Sequence, residues 1–174
     1  MTIIEAMKKV KANLVKLTEL QNKIGLYSAH TSLEAASTPY GDKTYEKVDE
    51  WTKACESITQ ENANLRLRIQ MTNLTTNVTI PLGGRDVTKP IAEWVLRRRE
   101  YANLDFQTWA RQTDRNLKIG QAPGSQGTPV EVKLIRNYDT EKRDKKMEMY
   151  QMEPHEINSK LEVVNATTEL VDLS

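Results

Sequence analysis

Val48-Asp49-Glu50-Trp51-Thr52-Lys53-Ala54-Cys55-Glu56-Ser57-Ile58, with its continuation through Asn62, Leu65, Ile69 and Thr72, decides the fold of this chain. Val48, Trp51, Cys55, Ile58, Asn62, Leu65, Ile69 and Thr72 fall at alternating steps of three and four, with Asp49, Glu50, Lys53 and Glu56 among the residues between. That spacing gathers the apolar side chains into one seam of a helix and turns the charges outward. It predicts a helix over 48–72, capped by Asp42 or Thr44. Trp51 is the large anchor of the seam, and Asn62 interrupts it. A seam asparagine can set register or oligomeric state at some cost in stability; the alternative is a partly wet point in a short bundle.

A matching seam lies upstream. Ile3, Met7, Val10, Leu14, Leu17, Gln21 and Ile24 keep the same alternation, with Lys8, Lys9, Lys11 and Lys16 off the seam. Gly25 is the expected stop, unless the pattern resumes through Leu26 and Tyr27. Residues 28–43 are small and polar and contain Pro39-Tyr40-Gly41-Asp42, a turn signal, so they read as a chain-reversing loop. Two seamed helices joined by a loop imply an antiparallel hairpin, or a bundle when several copies meet.

Downstream, Thr72-Asn73-Leu74-Thr75-Thr76 and Val164-Asn165-Ala166-Thr167-Thr168 use nearly the same words at the ends of two amphipathic stretches. Asparagine tolerates the left-handed conformation that stops helices, and threonine favours extended backbone. The repeat predicts one exit device used twice, with Asn73 and Asn165 as the stops. Asn77–Ile80, Gly83-Gly84 and Arg85–Val87 then read as a β-hairpin, with Pro81 confining the first strand to an edge or ending it early. Thr88 is the expected cap of a third helix running to about Leu117, with Pro90 in its first turn. Its broad stripe of Ile91, Trp94, Val95, Tyr101, Leu104, Phe106 and Trp109 suits a central helix with several neighbours.

Gly120, Pro123, Gly124, Gly127 and Pro129 mark 116–129 as a linker or arm, and Val130, Val132 and Leu134 alternate as a half-buried strand. A charged helix follows from Asp139. Pro154 is expected to stop or kink it and open a last helix through Ile157, Leu161 and Val164, and 167–173 to extend as a short strand. The fold class is therefore mainly α: a long antiparallel heptad hairpin, a third central helix, a small β-hairpin and strand element, and C-terminal helices. The organisation reads as 1–115, then the 116–129 arm, then 130–174 packing back on the same domain or on a neighbour.

Few residues invite chemistry. His30 and His155 stand far apart without a metal-ligating neighbour at helical spacing, and Cys55 falls on the seam as a small core residue. Phosphate-cradling and dinucleotide glycine motifs are missing; Gly83-Gly84 lacks the following lysine. No catalytic, cofactor or metal residue is assigned, and an enzyme is not expected. A net charge of +1 provides no global field for nucleic acid or acidic membranes. Arg97, Arg98 and Arg99 cannot share one helical face and are expected to pair with Glu93 and Glu100 or to span a subunit contact. A single cysteine fits a reducing compartment, and the amphipathic N-terminus lacks the apolar block of a secretory signal.

Arg68-Ile69-Gln70-Met71-Thr72-Asn73, the Gly83-Gly84-Arg85 turn, Val87-Thr88, Arg97-Arg98-Arg99-Glu100 and Leu161-Glu162-Val163-Val164-Asn165-Ala166-Thr167-Thr168-Glu169-Leu170 resemble the septicolysin-like family. The opening Ile4-Glu5-Ala6 fits as well, so the resemblance covers 1–25, 65–105 and 157–171. It departs at the 116–129 insert and the 130–135 strand. It implies a helical hairpin with a small β element, oligomerisation, no assigned active site, and carriage by bacteriophages.

The expected function is a non-enzymatic structural protein of a virion, assembled in the bacterial cytoplasm, with a cytoplasmic protein as the alternative location. Homo-oligomers and other particle proteins are the expected partners; a small-molecule substrate, a membrane and nucleic acid are not. The contact residues would be Trp51, Asn62, Asn73, Trp94, Arg97, Arg98, Val130, Val132, Leu134 and Asn165, with the arm reaching neighbours by strand addition. The competing readings are a membrane-lytic protein of septicolysin type and a nucleic-acid accessory factor.

Overall fold

The computed structural model describes residues 1–32, 38–115, 117, 119–125 and 127–172. The chain is mainly helical and forms two compact units, Met1–Thr76 with Glu162–Ser174, and Asn77–Leu161. Both termini thus belong to one unit and the middle of the chain to the other, a different division from 1–115 and 130–174.

The first unit is built on the antiparallel pair α1 (Ile3–Tyr27) and α2 (Thr44–Thr75). The α2 seam is as expected: Trp51, Ile58, Asn62, Leu65 and Thr72 are buried, and Val48, Cys55 and Ile69 half-buried. The α1 seam keeps Ile3, Val10, Leu17 and Ile24 of the expected series and exchanges the positions between them. Ile3, Ala6, Val10, Asn13, Leu17, Leu20, Ile24 and Tyr27 turn inward, whereas Met7, Leu14 and Gln21 are exposed. Both series obey the same alternation, and polar pairing decides between them. Asn13 Nδ2 donates to Asn62 Oδ1 at 3.0 Å and to Glu61 Oε2 at 2.8 Å, and Lys9 pairs with Glu61. Leu14 in that place would strand the buried Asn62 amide. Asn62 therefore sets register within one chain.

Neither expected cap of α2 operates. Asp42 lies in a 3₁₀ turn, Gly41–Lys43, that feeds the helix, and Thr44 is already helical, its hydroxyl donating to the Gly41 carbonyl at 2.7 Å. Helix α1 passes through Gly25 because Tyr27 has somewhere to go: Tyr27, Tyr40 and Trp51 pack ring on ring, with centroids 5.4–5.9 Å apart. Of the reversing loop, 33–37 lie outside the described residues.

The repeated exit is real, but its mechanism is threonine rather than asparagine. Asn73 and Asn165 are helical, and Arg115 is the non-glycine residue with positive φ among the described residues. Both helices end at the first threonine of the pair. Thr75 and Thr167 donate their hydroxyls to Met71 and Val163 carbonyls at 2.8 and 3.0 Å. The next amides, Thr76 and Thr168, close the last turns on Thr72 and Val164 carbonyls at 2.9 and 2.8 Å. Beyond the second exit the tail runs extended and is gripped from two sides. Thr2 bridges Glu169, with Ile3 N donating to Thr168 O and Leu170 N to Met1 O. Across from them, Val171 N donates to Thr72 Oγ1 at 3.0 Å, and Arg68 reaches Val171 O and Asp172 at 2.9 and 2.8 Å. Leu173 of the expected strand lies outside the described residues.

In the second unit β1 (Asn77–Leu82) pairs with β2 (Arg85–Pro90) through a two-residue turn in which Gly83 and Gly84 both have positive φ. Such a turn makes Leu82 and Arg85 the hydrogen-bonded closing pair, so Pro81 faces the open side, where its missing N–H costs nothing. Gly83 is further constrained because an added Cβ would meet Met149 Sδ at 2.8 Å. Thr88 is no cap: it remains in β2 with its hydroxyl 2.7 Å from that of Thr79, and Pro90 precedes the first helical turn.

The third helix is α3 (Ile91–Leu96), a π turn (Arg97–Tyr101) and α4 (Ala102–Ala110), ending well before Leu117. The π turn inserts a residue and rotates the succeeding helix by roughly 100°. Tyr101 and Leu104 consequently face solvent, while Ala102 is fully buried. The expected stripe breaks there. Past it, the region expected to be a linker folds into a second hairpin, β3 (Gly120–Pro123) on β4 (Pro129–Val132), with β4 exposed along its length rather than half-buried. The two expected C-terminal helices are one, α5 (Thr140–Thr167), with Pro154 inside it. Pro154 deprives the Tyr150 carbonyl of a donor, but buried Glu153, Ile157 and Leu161 hold the helix on either side.

Replacing Asn13 with alanine leaves the buried Asn62 amide unpaired and should cost about 1–3 kcal/mol. Chemical denaturation measures it, and an unchanged midpoint would remove Asn13 as the register pin.

Candidate interaction site

The expected contact residues divide sharply between the interior and the arm. Trp51 belongs to the ring cluster and Asn62 to the helix seam, both inside the first unit. Trp94 is wholly buried and donates Nε1 to the Val78 carbonyl at 2.9 Å, tying α3 to β1. Asn73 and Asn165 are half-buried in their helices; Asn73 Oδ1 has no partner among the described residues. Trp51, Asn62 and Trp94 thus hold the fold of single units.

Arg97 and Arg98 also turn inward, to partners other than Glu93 and Glu100. Arg97 forms a bidentate pair with Glu153, whose side chain is about 2% exposed, and its Nη2 reaches Asp105 at 3.0 Å. The guanidinium also lies over the Tyr150 ring, 5.7 Å from its centroid. The Glu153 hydrogen bond raises the Arg97 pKa above its ordinary value, so the guanidinium stays charged wherever the protein is folded. Arg98 Nη1 donates to Asn158 Oδ1 at 2.7 Å, and Lys89 takes Glu93. The π turn makes this possible by splaying successive arginines toward α5. Each Glu153 oxygen thus accepts one hydrogen bond from the Arg97 guanidinium.

One open hollow, about 380 Å³, is lined by Arg85, Lys89, Lys146 and Tyr150 above the Arg97–Glu153 pair; another, about 530 Å³, is lined by Gly83, Asp139, Glu141, Lys142, Lys145, Lys146 and Met149. Their cations are largely engaged: Lys145 by Glu141, Lys142 over Trp109, Lys146 over Tyr150. His30 and His155 are exposed and lie in different units, Cys55 is half-buried on α2, and no cluster of metal-ligating side chains occurs among the described residues.

Val130, Val132 and Leu134 have a different surrounding. Val130 and Val132 stand on β4, 53% and 38% exposed, and half-buried Leu134 follows the strand's end. Ile119 and Ile135 beside them are 66% and 78% exposed. Among the described residues the hairpin has no third strand and no buried side chain. Such a two-stranded ribbon is marginal in water without cover.

Its feet, however, are fastened. Asp114 accepts from Arg136 Nε and Nη2 at 2.9 and 2.8 Å and from Tyr138 Oη at 3.0 Å. Arg143 donates to the Gln112 carbonyl at 3.0 Å and lies over the Tyr138 ring. Arg115, at φ 52°, then turns the chain into the arm in a left-handed conformation that non-glycine residues adopt at some cost. The sequence carries no signal for this clamp, because a carboxylate and an arginine 22 residues apart share no periodicity. The Thr2–Glu5 capping box was legible as threonine with glutamate three residues on.

No family model, curated protein or solved structure matches the chain. Among the described residues no helix is long and apolar enough to cross a membrane.

Glu153→Ala leaves Arg97 half-buried with only Asp105, and should destabilise the protein by about 3 kcal/mol; Glu153→Leu with Arg97→Met should recover most of it, as seen by thermal unfolding. Hydrogen bonds from Arg136 and Tyr138 hold the Asp114 carboxyl below its usual range. A lowered folded pKa contributes stability that is present above the unfolded value, near 3.8, and is lost as pH falls through the folded one. Amide exchange in 119–135 should therefore accelerate below about pH 3.8, and in Asp114→Asn at neutral pH, ahead of exchange in α1 and α2. Equal acceleration everywhere would dissolve the clamp's local role.

Proposed function

We propose that this protein is a non-enzymatic structural component that assembles with copies of itself and with other proteins of a particle, most specifically a bacteriophage virion. One observation carries the reading: a clamped β-hairpin presenting apolar side chains and a free strand edge, with nothing among the described residues to cover them. A ribbon of this kind gains stability by entering a larger sheet, and strand addition supplies backbone bonds for the purpose. The phage setting rests on the septicolysin-like resemblance of the helix ends and the Gly83-Gly84 turn.

The cluster of Lys142, Lys145 and Lys146, although set beside Asp139 and Glu141, motivates one competing reading, a polyanion site for nucleic acid. It would show as binding that falls steeply with salt and is lost on neutralising Lys142 and Lys146. Assembly predicts instead that sedimentation mass rises from one chain to a multiple of it across the micromolar range, and that the protein is recovered from intact particles. A monomer at every concentration, absent from particles, would overturn it.

A further inference from the structure

We propose that two copies of this chain join through β4, pairing residues 129–135 antiparallel about a two-fold axis at Val132. The inference rests on the assembly reading and supplies its partner surface and register. The arm's backbone has a definite parity. Gly124 N donates to Thr128 O at 3.0 Å across the hairpin, and the ladder continues as Ala122 opposite Val130 and Gly120 opposite Val132. In an antiparallel ladder hydrogen-bonded pairs recur at every second residue, so 128, 130 and 132 direct their N–H and C=O toward β3. Glu131 and, on extending the strand, Lys133 and Ile135 direct theirs to the free edge, where Pro129 offers a carbonyl and no N–H. Proline at 129 forfeits no bond to β3, and in the pairing it costs only the terminal bond to Ile135.

A second strand on that edge must also offer its odd-numbered residues, which leaves few registers. Centring the two-fold axis on Glu131 sets glutamate opposite glutamate, and centring it on Lys133 sets lysine opposite lysine; both are repulsive. Centring it on Val132 places Glu131 opposite Lys133 of the second copy and the reverse. On the other face Val130 then meets Leu134, and Val132 meets itself. Glu131 and Lys133 already share a face of one strand, 3.4 Å apart and each 72% exposed, so both charges are available for exchange across the axis. The stretch Pro129-Val130-Glu131-Val132-Lys133-Leu134-Ile135 is thus self-complementary in charge, apolar pattern and hydrogen-bond parity together. The product is a four-stranded antiparallel sheet, which meets the ribbon's need for further strands.

Charge exchange tests it with the full chain. Glu131→Lys and Lys133→Glu should each weaken dimerisation about tenfold or more in sedimentation equilibrium. Mixing the two variants should restore dimers as heterodimers, and the double variant should dimerise like the parent. In a Cys55→Ser background, Val132→Cys should oxidise to a linked dimer, because a non-hydrogen-bonded antiparallel pair lies within disulfide reach. Ile135→Cys should not, since the pairing carries the two copies of that residue far apart. Undiminished assembly in both single charge variants, or equal cross-linking at 132 and 135, overturns this pairing and leaves the assembly reading standing. A parent chain that is monomeric throughout overturns both.

Discussion

A long helix cannot simply stop; its last carbonyls and the first extended amides beyond it all need partners. This chain meets the demand twice with the same threonine pair. The first hydroxyl bonds back into the helix, the second amide closes the final turn, and the extended residues beyond pass directly into a ladder. After Thr76 that ladder is β1 with β2, and after Thr168 it is the bridge to Thr2. The second handover also closes both chain ends within the first unit.

Within the first unit, apolar burial and polar pairing act differently. Ile3, Val10, Ile58 and Leu65 each contribute roughly 1.5–3 kcal/mol of burial, enough to bring α1 and α2 together in several registers. The Asn13–Asn62 bond is worth about 1 kcal/mol when made, yet costs more when missed, and so selects among them. Arg68 and Thr72 act similarly on the tail, donating to or accepting from backbone that would otherwise end unpaired. The second unit uses the Arg97–Glu153 pair in the same way, as an alignment device between the π turn and α5.

Against these interior devices the arm stands out by its exposure. Its base is tied by Asp114, Arg136, Tyr138 and Arg143, while its strands leave valines and isoleucines in water. The ion pairs at its base hold the ribbon in place although its strands bury no side chain. That contrast separates the arm from the exposed Met7 and Leu14 on α1, which are side chains left over when the seam took Ala6 and Asn13 in their place.

Local physics was enough to read the mainly helical class, the two long seams, the glycine turn and the extended exits from residue order, because each depends on neighbours within a few positions. Four things were beyond it. The α1 seam needed knowledge of which polar atom α2 would offer, since both candidate spacings are equally periodic. The helix after Pro90 needed the π turn, which forms where Arg97 must reach Glu153, 56 residues away. The continuation of α5 through Pro154, and the pairing of β3 with β4, likewise depend on partners distant in the chain. Period and composition determined what kinds of element this chain forms; only the tertiary structure decided their registers and which side chains were left exposed, because those depend on satisfying buried polar groups across long separations.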